Sequence, residues 1–112
     1  MRRTVEIRTY RLKPKTKAQF HELVTAQSVP LLQRSGTDVV AFGPSCEGDD
    51  GYVLIRAYSG LADMRESQDA FYSSAEWHAG PRQAVLGLIE GHTSVVLDLD
   101  ASVVDALRVI FL

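Results

Sequence analysis

Three short stretches of this sequence set ionisable and aromatic side chains at every second position. Glu6, Arg8 and Tyr10 alternate with Val5 and Ile7. Tyr52, Arg56 and Tyr58 alternate with Val53, Ile55 and Ala57, and His92, Ser94 and Asp98 alternate with Thr93, Val95, Leu97 and Leu99. Successive side chains of a strand point to opposite faces, so each stretch reads as a strand with two unlike faces. The polar face carries the chemistry of an anion site. Arg8 suits holding a carboxylate or an enolate, and Tyr10 suits donating a hydrogen bond to a developing oxyanion. Glu6, Arg56 and Tyr58 share that face as substrate-binding candidates. His92 is a candidate general base, because an unperturbed imidazole titrates near neutrality. His78 is a second candidate proton carrier, and Trp77 beside it is either a substrate platform or a core anchor. The same residues also have a structural reading: a Glu6–Arg8 or Glu6–Arg56 ion pair imitates a site, and His92 is then an idle imidazole at a strand mouth.

Other chemistries find less in the sequence. No two histidines are spaced i, i+4, there is no Cys-x-x-Cys, and His78 and His92 fall on different elements, so no metal site is expected. Cys46 has no neighbouring signature of an activated nucleophile. Gly48 and Gly51 flank acidic residues, which makes their turn a poor phosphate cradle. His21 lies on a helix rich in Lys, Gln and Glu and reads as a solvent-facing residue. No cofactor is expected.

The positioning elements follow from turn and cap residues. A strand from Val5 to Leu12 ends at Lys13-Pro14. Thr16 with Gln19 has capping-box spacing, and Phe20, Leu23 and Val24 share a helical face. Pro30 should kink or restart this helix, and Gly36 should stop it in the left-handed region. A second strand, Thr37 to Cys46, turns through Gly48-Asp49-Asp50-Gly51 into a third, Tyr52 to Tyr58. A second helix starts near Ser59-Gly60, with Leu61, Met64 and Phe71 on its inner side. Ser73 and Glu76 give another capping box, and Pro81 opens a helix with Ala84, Val85, Leu88 and Ile89, ended by Gly91. His92 to Leu99 is the last strand.

The order is β-α-β-β-α-β, the ferredoxin-like unit of the α+β class. Its helices cover one sheet face, expected here to be the apolar one. The other face, with Leu12, Leu54 and Val96 among the polar residues, would remain bare. A mixed face of that kind marks an interface, so two sheets packed face to face into a dimeric α/β barrel are expected. Residues 1–100 form this unit. Residues 101–112 are a separate apolar tail with Val103, Val104, Leu107, Ile110, Phe111 and Leu112. The tail reads as a short helix or an extended arm, packing across the partner subunit rather than onto its own.

At 112 residues the chain is one domain able to fold without staples. A net charge of −2 with scattered Lys and Arg excludes a nucleic-acid surface. No apolar run reaches the length of a membrane span, and Met1-Arg2-Arg3 is not followed by a signal-peptide core. A single cysteine fits a reducing cytoplasm.

Val5-Glu6-Ile7-Arg8-Thr9-Tyr10-Arg11-Leu12-Lys13-Pro14 resembles the opening strand of NIPSNAP-family proteins. Pro30-Leu31-Leu32-Gln33-Arg34-Ser35-Gly36 and Ser74-Ala75-Glu76-Trp77-His78 resemble later family segments, and the likeness spans roughly residues 4 to 99. It implies a dimeric α/β barrel, a fold that the family shares with antibiotic-biosynthesis monooxygenases, haem degraders and small isomerases. Haem degraders of this fold use an asparagine, a tryptophan and a histidine, and this sequence has no asparagine. The expected function is binding of a small, partly apolar, oxygen-bearing molecule. Any reaction would be metal-free proton transfer, isomerisation or cofactor-independent oxygenation. The alternative is a non-catalytic dimerising module.

Overall fold

The computed structural model describes the backbone of residues 1–111 and the side chains of residues 1–108. Four antiparallel strands form one sheet in the order β2-β3-β1-β4. They are β1 (Arg2–Leu12), β2 (Asp38–Pro44), β3 (Gly51–Tyr58) and β4 (Ile89–Asp100). The first crossover holds α1 (Lys17–Leu23), a π-helical turn (Val24–Ser28) and α2 (Val29–Arg34). The second holds α3 (Leu61–Tyr72), α4 (Ala75–Ala79) and α5 (Arg82–Leu88). This is the ferredoxin-like α+β arrangement.

The two sheet faces are covered the opposite way round from the expectation. The aromatic and charged face lies under the crossover helices: Leu12, Tyr52 and Leu54 are buried with Phe20, Val24, Leu31, Leu32, Phe71, Trp77 and Val85. The apolar face carries Val5, Ile55 and Ala57, clustered with Val40 and Ala41 under Val104. Polar residues can sit under helices here because they satisfy one another, as described below. Leu12 and Leu54 are therefore core residues and not a dimer face, whereas Val96 stays 43% exposed.

The tail is a helix, α6 (Ala101–Phe111), and it seats on its own sheet rather than only on a partner. Val104 is fully buried there. Arg108 Nη1 and Nη2 donate to the two Asp38 carboxylate oxygens at 2.8 and 2.7 Å, tying α6 to the start of β2. The expected roles of Ile110, Phe111 and Leu112 lie outside the described side chains.

Local chemistry corrects several boundaries. Thr16 precedes α1 without a side-chain cap, its hydroxyl donating to the Lys13 carbonyl instead. Pro30 marks a restart: it falls in the first turn of α2, just after the π-turn that carries the helix past a residue without an N–H. Gly36 has φ of 93° and ends α2 as expected. The cap of α4 is Ser74 and not Ser73, its Oγ accepting from Trp77 N at 3.2 Å. Leu61 is exposed at the start of α3. Ile89 and Gly91 belong to β4, paired with Leu12 and Arg11 across a register shift.

Candidate functional site

Strand pairing builds the site. Glu6 on β1 lies opposite Arg56 on β3, and Arg8 lies opposite Ser94 on β4. Their side chains rise toward α3, which supplies Gln68 and Tyr72 from adjacent turns of one helix face. The result is a closed polar network. One Glu6 oxygen accepts from Arg56 Nη2 and from Gln68 Nε2 at 3.0 Å. The other accepts from Arg8 Nη2 and Ser94 Oγ, both at 3.0 Å. Tyr72 OH accepts from Arg8 Nη1 at 3.1 Å and from Arg56 Nη1 at 2.9 Å. Gln68 Nε2 also reaches Tyr58 OH at 3.2 Å. Both guanidinium groups stand 5.7 Å from the centre of the Tyr72 ring.

The network carries a surplus of positive charge. Two guanidinium groups share one carboxylate, and Arg56 is fully buried with no acceptor for Nε among the described residues. Burial disfavours the Glu6 carboxylate, but Arg56 and Arg8 outweigh it and hold its pKa below the usual range. Arg56 is shifted upward: burial lowers its pKa, and the facing tyrosines and Glu6 more than offset that.

Beside this network a small cavity of about 30 Å³ lies between helices and sheet, walled by Tyr10, Tyr52, Phe71, Tyr72, Trp77 and Ser28 among others. Burial, then neighbouring Tyr72, pushes the Tyr10 hydroxyl up to about 12. Ser28 Oγ, at the end of the π-turn, is buried with no partner among the described residues.

The structure thus brings Glu6, Arg8, Arg56 and Tyr58 together, with Tyr10 and Trp77 at the adjoining cavity. It does not bring in the two histidines. His92 is exposed, its ring 6.4 Å from that of Tyr10, in a surface hollow of about 230 Å³. His78 is exposed too, with Nε2 at 3.0 Å from the Tyr72 carbonyl. That bond fixes the turn after α3. Trp77 is a core anchor packed on Phe71 and Tyr72.

Sequence reasoning missed Gln68, Tyr72 and His21. Gln68 and Tyr72 are spaced i, i+4 beside the apolar positions of α3, a signal that places them at the helix–sheet boundary. His21 Nδ1 lies 2.6 Å from Tyr52 OH, so it is not simply a solvent-facing residue. Among the described residues no three His, Cys, Asp or Glu side chains converge as metal ligands, and no helix is long and apolar enough to cross a membrane.

The fold and the helix-covered polar face define an α+β protein of the ferredoxin-like class. The NIPSNAP family model matches residues 5–101, and the chain belongs to that family. A NIPSNAP family protein from Agrobacterium tumefaciens is 18% identical with a TM-score of 0.79, covering 88% of this chain and 87% of that one. A NIPSNAP domain protein from Burkholderia xenovorans is 20% identical with a TM-score of 0.75, covering 88% and 95%. An antibiotic biosynthesis monooxygenase-like protein from Nitrosomonas europaea is 19% identical with a TM-score of 0.64, covering 84% and 95%. No curated protein matches the chain significantly.

Proposed function

We propose that this NIPSNAP-family protein binds a small, partly apolar, oxygen-bearing organic molecule at the Arg8–Arg56–Tyr72 cluster between sheet and helices, as a cytoplasmic homodimer. One observation carries the reading: a buried and a half-buried guanidinium group meet a single carboxylate, leaving a net positive charge and an unused Arg56 N–H. Such a site favours a carboxylate, phenolate or enolate, because its donors are already oriented and poorly hydrated. Ser94 and the outer part of β4 are exposed, which gives the ligand a route to Arg8. The reaction class these side chains support is proton transfer. Arg8 and Tyr10 stabilise the anion, and His92 at the neighbouring hollow moves the proton; His78, held on a backbone carbonyl, is the weaker choice. Isomerisation and oxygenation of an activated carbanion by dioxygen both pass through such an anion, and the likeness to a monooxygenase-like fold is consistent with the second.

The dimer reading rests on the uncovered strand β4. Val95, Val96 and Leu97 are 55%, 43% and 36% exposed, and Val103 on α6 is 46% exposed. A long edge strand with apolar residues on both faces is normally covered. The second reading, a dimerising module without catalysis, is favoured by the cavity: about 30 Å³ holds a water and not an organic ligand unless the helices part.

Native mass spectrometry of protein purified from its own host tests the proposal. A retained organic anion, lost in Arg8→Ala with little change in melting temperature, supports it. An empty protein whose Arg8→Ala variant loses only stability supports the module instead.

A further inference from the structure

On the far side of the sheet from β4, a groove of about 670 Å³ runs between α1 and β2. Its walls include His21 and Thr25 from the first crossover, Val39, Phe42 and Pro44 from β2, and Arg108 from α6. None of these residues belongs to the Glu6 network. The volume is within the range of small-molecule sites.

His21 is fixed in this groove by two aromatic neighbours. Its ring centroid lies 6.2 Å from that of Phe42 and 5.6 Å from that of Tyr52. Tyr52 is 2% exposed and packs edge-on against Phe20. A buried phenol needs an acceptor for its proton, and His21 Nδ1 at 2.6 Å is the partner in place among the described residues. Burial also pushes the Tyr52 hydroxyl upward, so the phenol keeps a proton to donate. A ring accepting at Nδ1 carries its own proton on Nε2 when neutral. Nε2 has no partner among the described residues.

Charge and strand geometry narrow the occupant. Arg108 is committed to Asp38 through two hydrogen bonds, so it offers the groove no free cation. β2 is an edge strand, but its pairing with β3 shifts register between Val39 and Ala41, and irregularity of that kind disfavours addition of another strand. The groove therefore suits neither a carboxylate nor an extended peptide. We propose that it binds a small neutral carbonyl compound with an apolar body, whose oxygen accepts a hydrogen bond from His21 Nε2–H while Val39 and Phe42 cover the rest. Tyr52 is the positioning residue that sets the tautomer.

The test is a titration of the full chain with acetophenone, followed by nuclear magnetic resonance. Saturable shifts are expected at His21, Thr25, Val39 and Phe42. Ethylbenzene, which lacks the carbonyl, is expected to bind about tenfold more weakly, the factor of one net hydrogen bond. Long-range nitrogen correlations should show the Nε2–H tautomer in the wild type and a mixture in Tyr52→Phe, which keeps the packed ring. His21→Leu and Tyr52→Phe should each erode the preference for acetophenone over ethylbenzene. Absence of saturation, equal binding of the two probes, a preference that survives both substitutions, or shifts confined to the Arg8 cluster would each overturn the proposal. Only the last of these outcomes touches the Arg8 cluster, and it reports a neutral ligand there, which leaves anion binding at Arg8 to its own test.

Discussion

Glu6 and Arg56 face each other on adjacent strands at one rung of the sheet, both almost wholly buried, and α3 closes over them. A buried ion pair is not by itself a source of stability, because desolvating two charges costs about as much as their attraction returns. Here the remaining hydrogen-bonding capacity is nearly used up by Arg8, Gln68, Ser94 and Tyr72. Breaking the pair from one side is therefore severe. Glu6→Leu should destabilise the fold by about 3–5 kcal/mol, by leaving the fully buried Arg56 guanidinium without a carboxylate, and Arg56→Met should cost less because Arg8 still pairs with Glu6. Glu6→Leu combined with Arg56→Met should cost less than the two single changes added together. Urea unfolding of the three variants measures the difference; strict additivity would mean that the pair is not coupled.

The same network gives a pH dependence. The folded-state pKa of Glu6 lies below its ordinary value of 4.5 and that of Asp38 below 3.8. For Asp38 the hydrogen bonds from Arg108 are the main cause. A depressed carboxylate stabilises the folded state fully above the unfolded pKa and loses that contribution as pH falls through the folded one. Urea midpoints should therefore hold steady for these groups down to about pH 4.5 and then fall. Glu6→Gln should remove part of that fall while lowering the plateau. A midpoint that declines just as steeply in Glu6→Gln would exclude Glu6 as a source.

Tyr72 is the hinge between the two arginines, and its hydroxyl is their common acceptor. Tyr72→Phe keeps the ring under both guanidinium groups and removes only the oxygen. Leaving a buried N–H without its acceptor costs about 1–3 kcal/mol, so a loss at the upper end of that range is expected for two donors. A loss below about 0.5 kcal/mol, the size of a surface substitution, would show that water replaces the oxygen at once.

The strands, their order and the polar register were legible because alternation with period two survives in the sequence even when both faces are buried. Which face the helices cover was not. Alternation says only that the faces differ; the decision came from partners far along the chain. Gln68 and Tyr72 satisfy Glu6 and the arginines under the crossover helices, and Val104 covers the apolar face after the sheet is complete. Neither pairing has a local signal. The same holds for His21, whose partner Tyr52 is thirty-one residues away. Capping boxes failed for a narrower reason: Ser73 and Ser74 both precede Glu76, and only the backbone angles at Ser74 aim its hydroxyl at Trp77 N.

Leu54 and Leu97 separate folding from assembly. Leu54 is 5% exposed in the helix-covered core, so Leu54→Asp should unfold the protein rather than split a dimer. Leu97 is 36% exposed on β4 and has room for a charge in a single chain. If two copies meet at this strand, Leu97→Asp should give a monomer by light scattering with its melting behaviour governed by the lost association alone. A wild-type monomer at micromolar concentration would end the homodimer proposal, and an unchanged dimer in Leu97→Asp would move the interface elsewhere.

Val104 tests what α6 does. It is fully buried against Val5, Val40, Ala41, Ile55 and Ala57, so the sheet's apolar face depends on it directly. Val104→Ala removes two methyl groups from a closed contact and should cost about 1.5–3 kcal/mol, the transfer and cavity terms together. Arg108→Ala should add to this by releasing the bidentate hold on Asp38, which is partly exposed and so contributes less. Removing residues 101–112 exposes the cluster altogether. The truncated chain should then melt at a lower temperature and associate more readily through the freed face. A truncated protein with unchanged melting temperature and unchanged association would show that α6 is a bystander and that the apolar face is stabilised by something other than Val104.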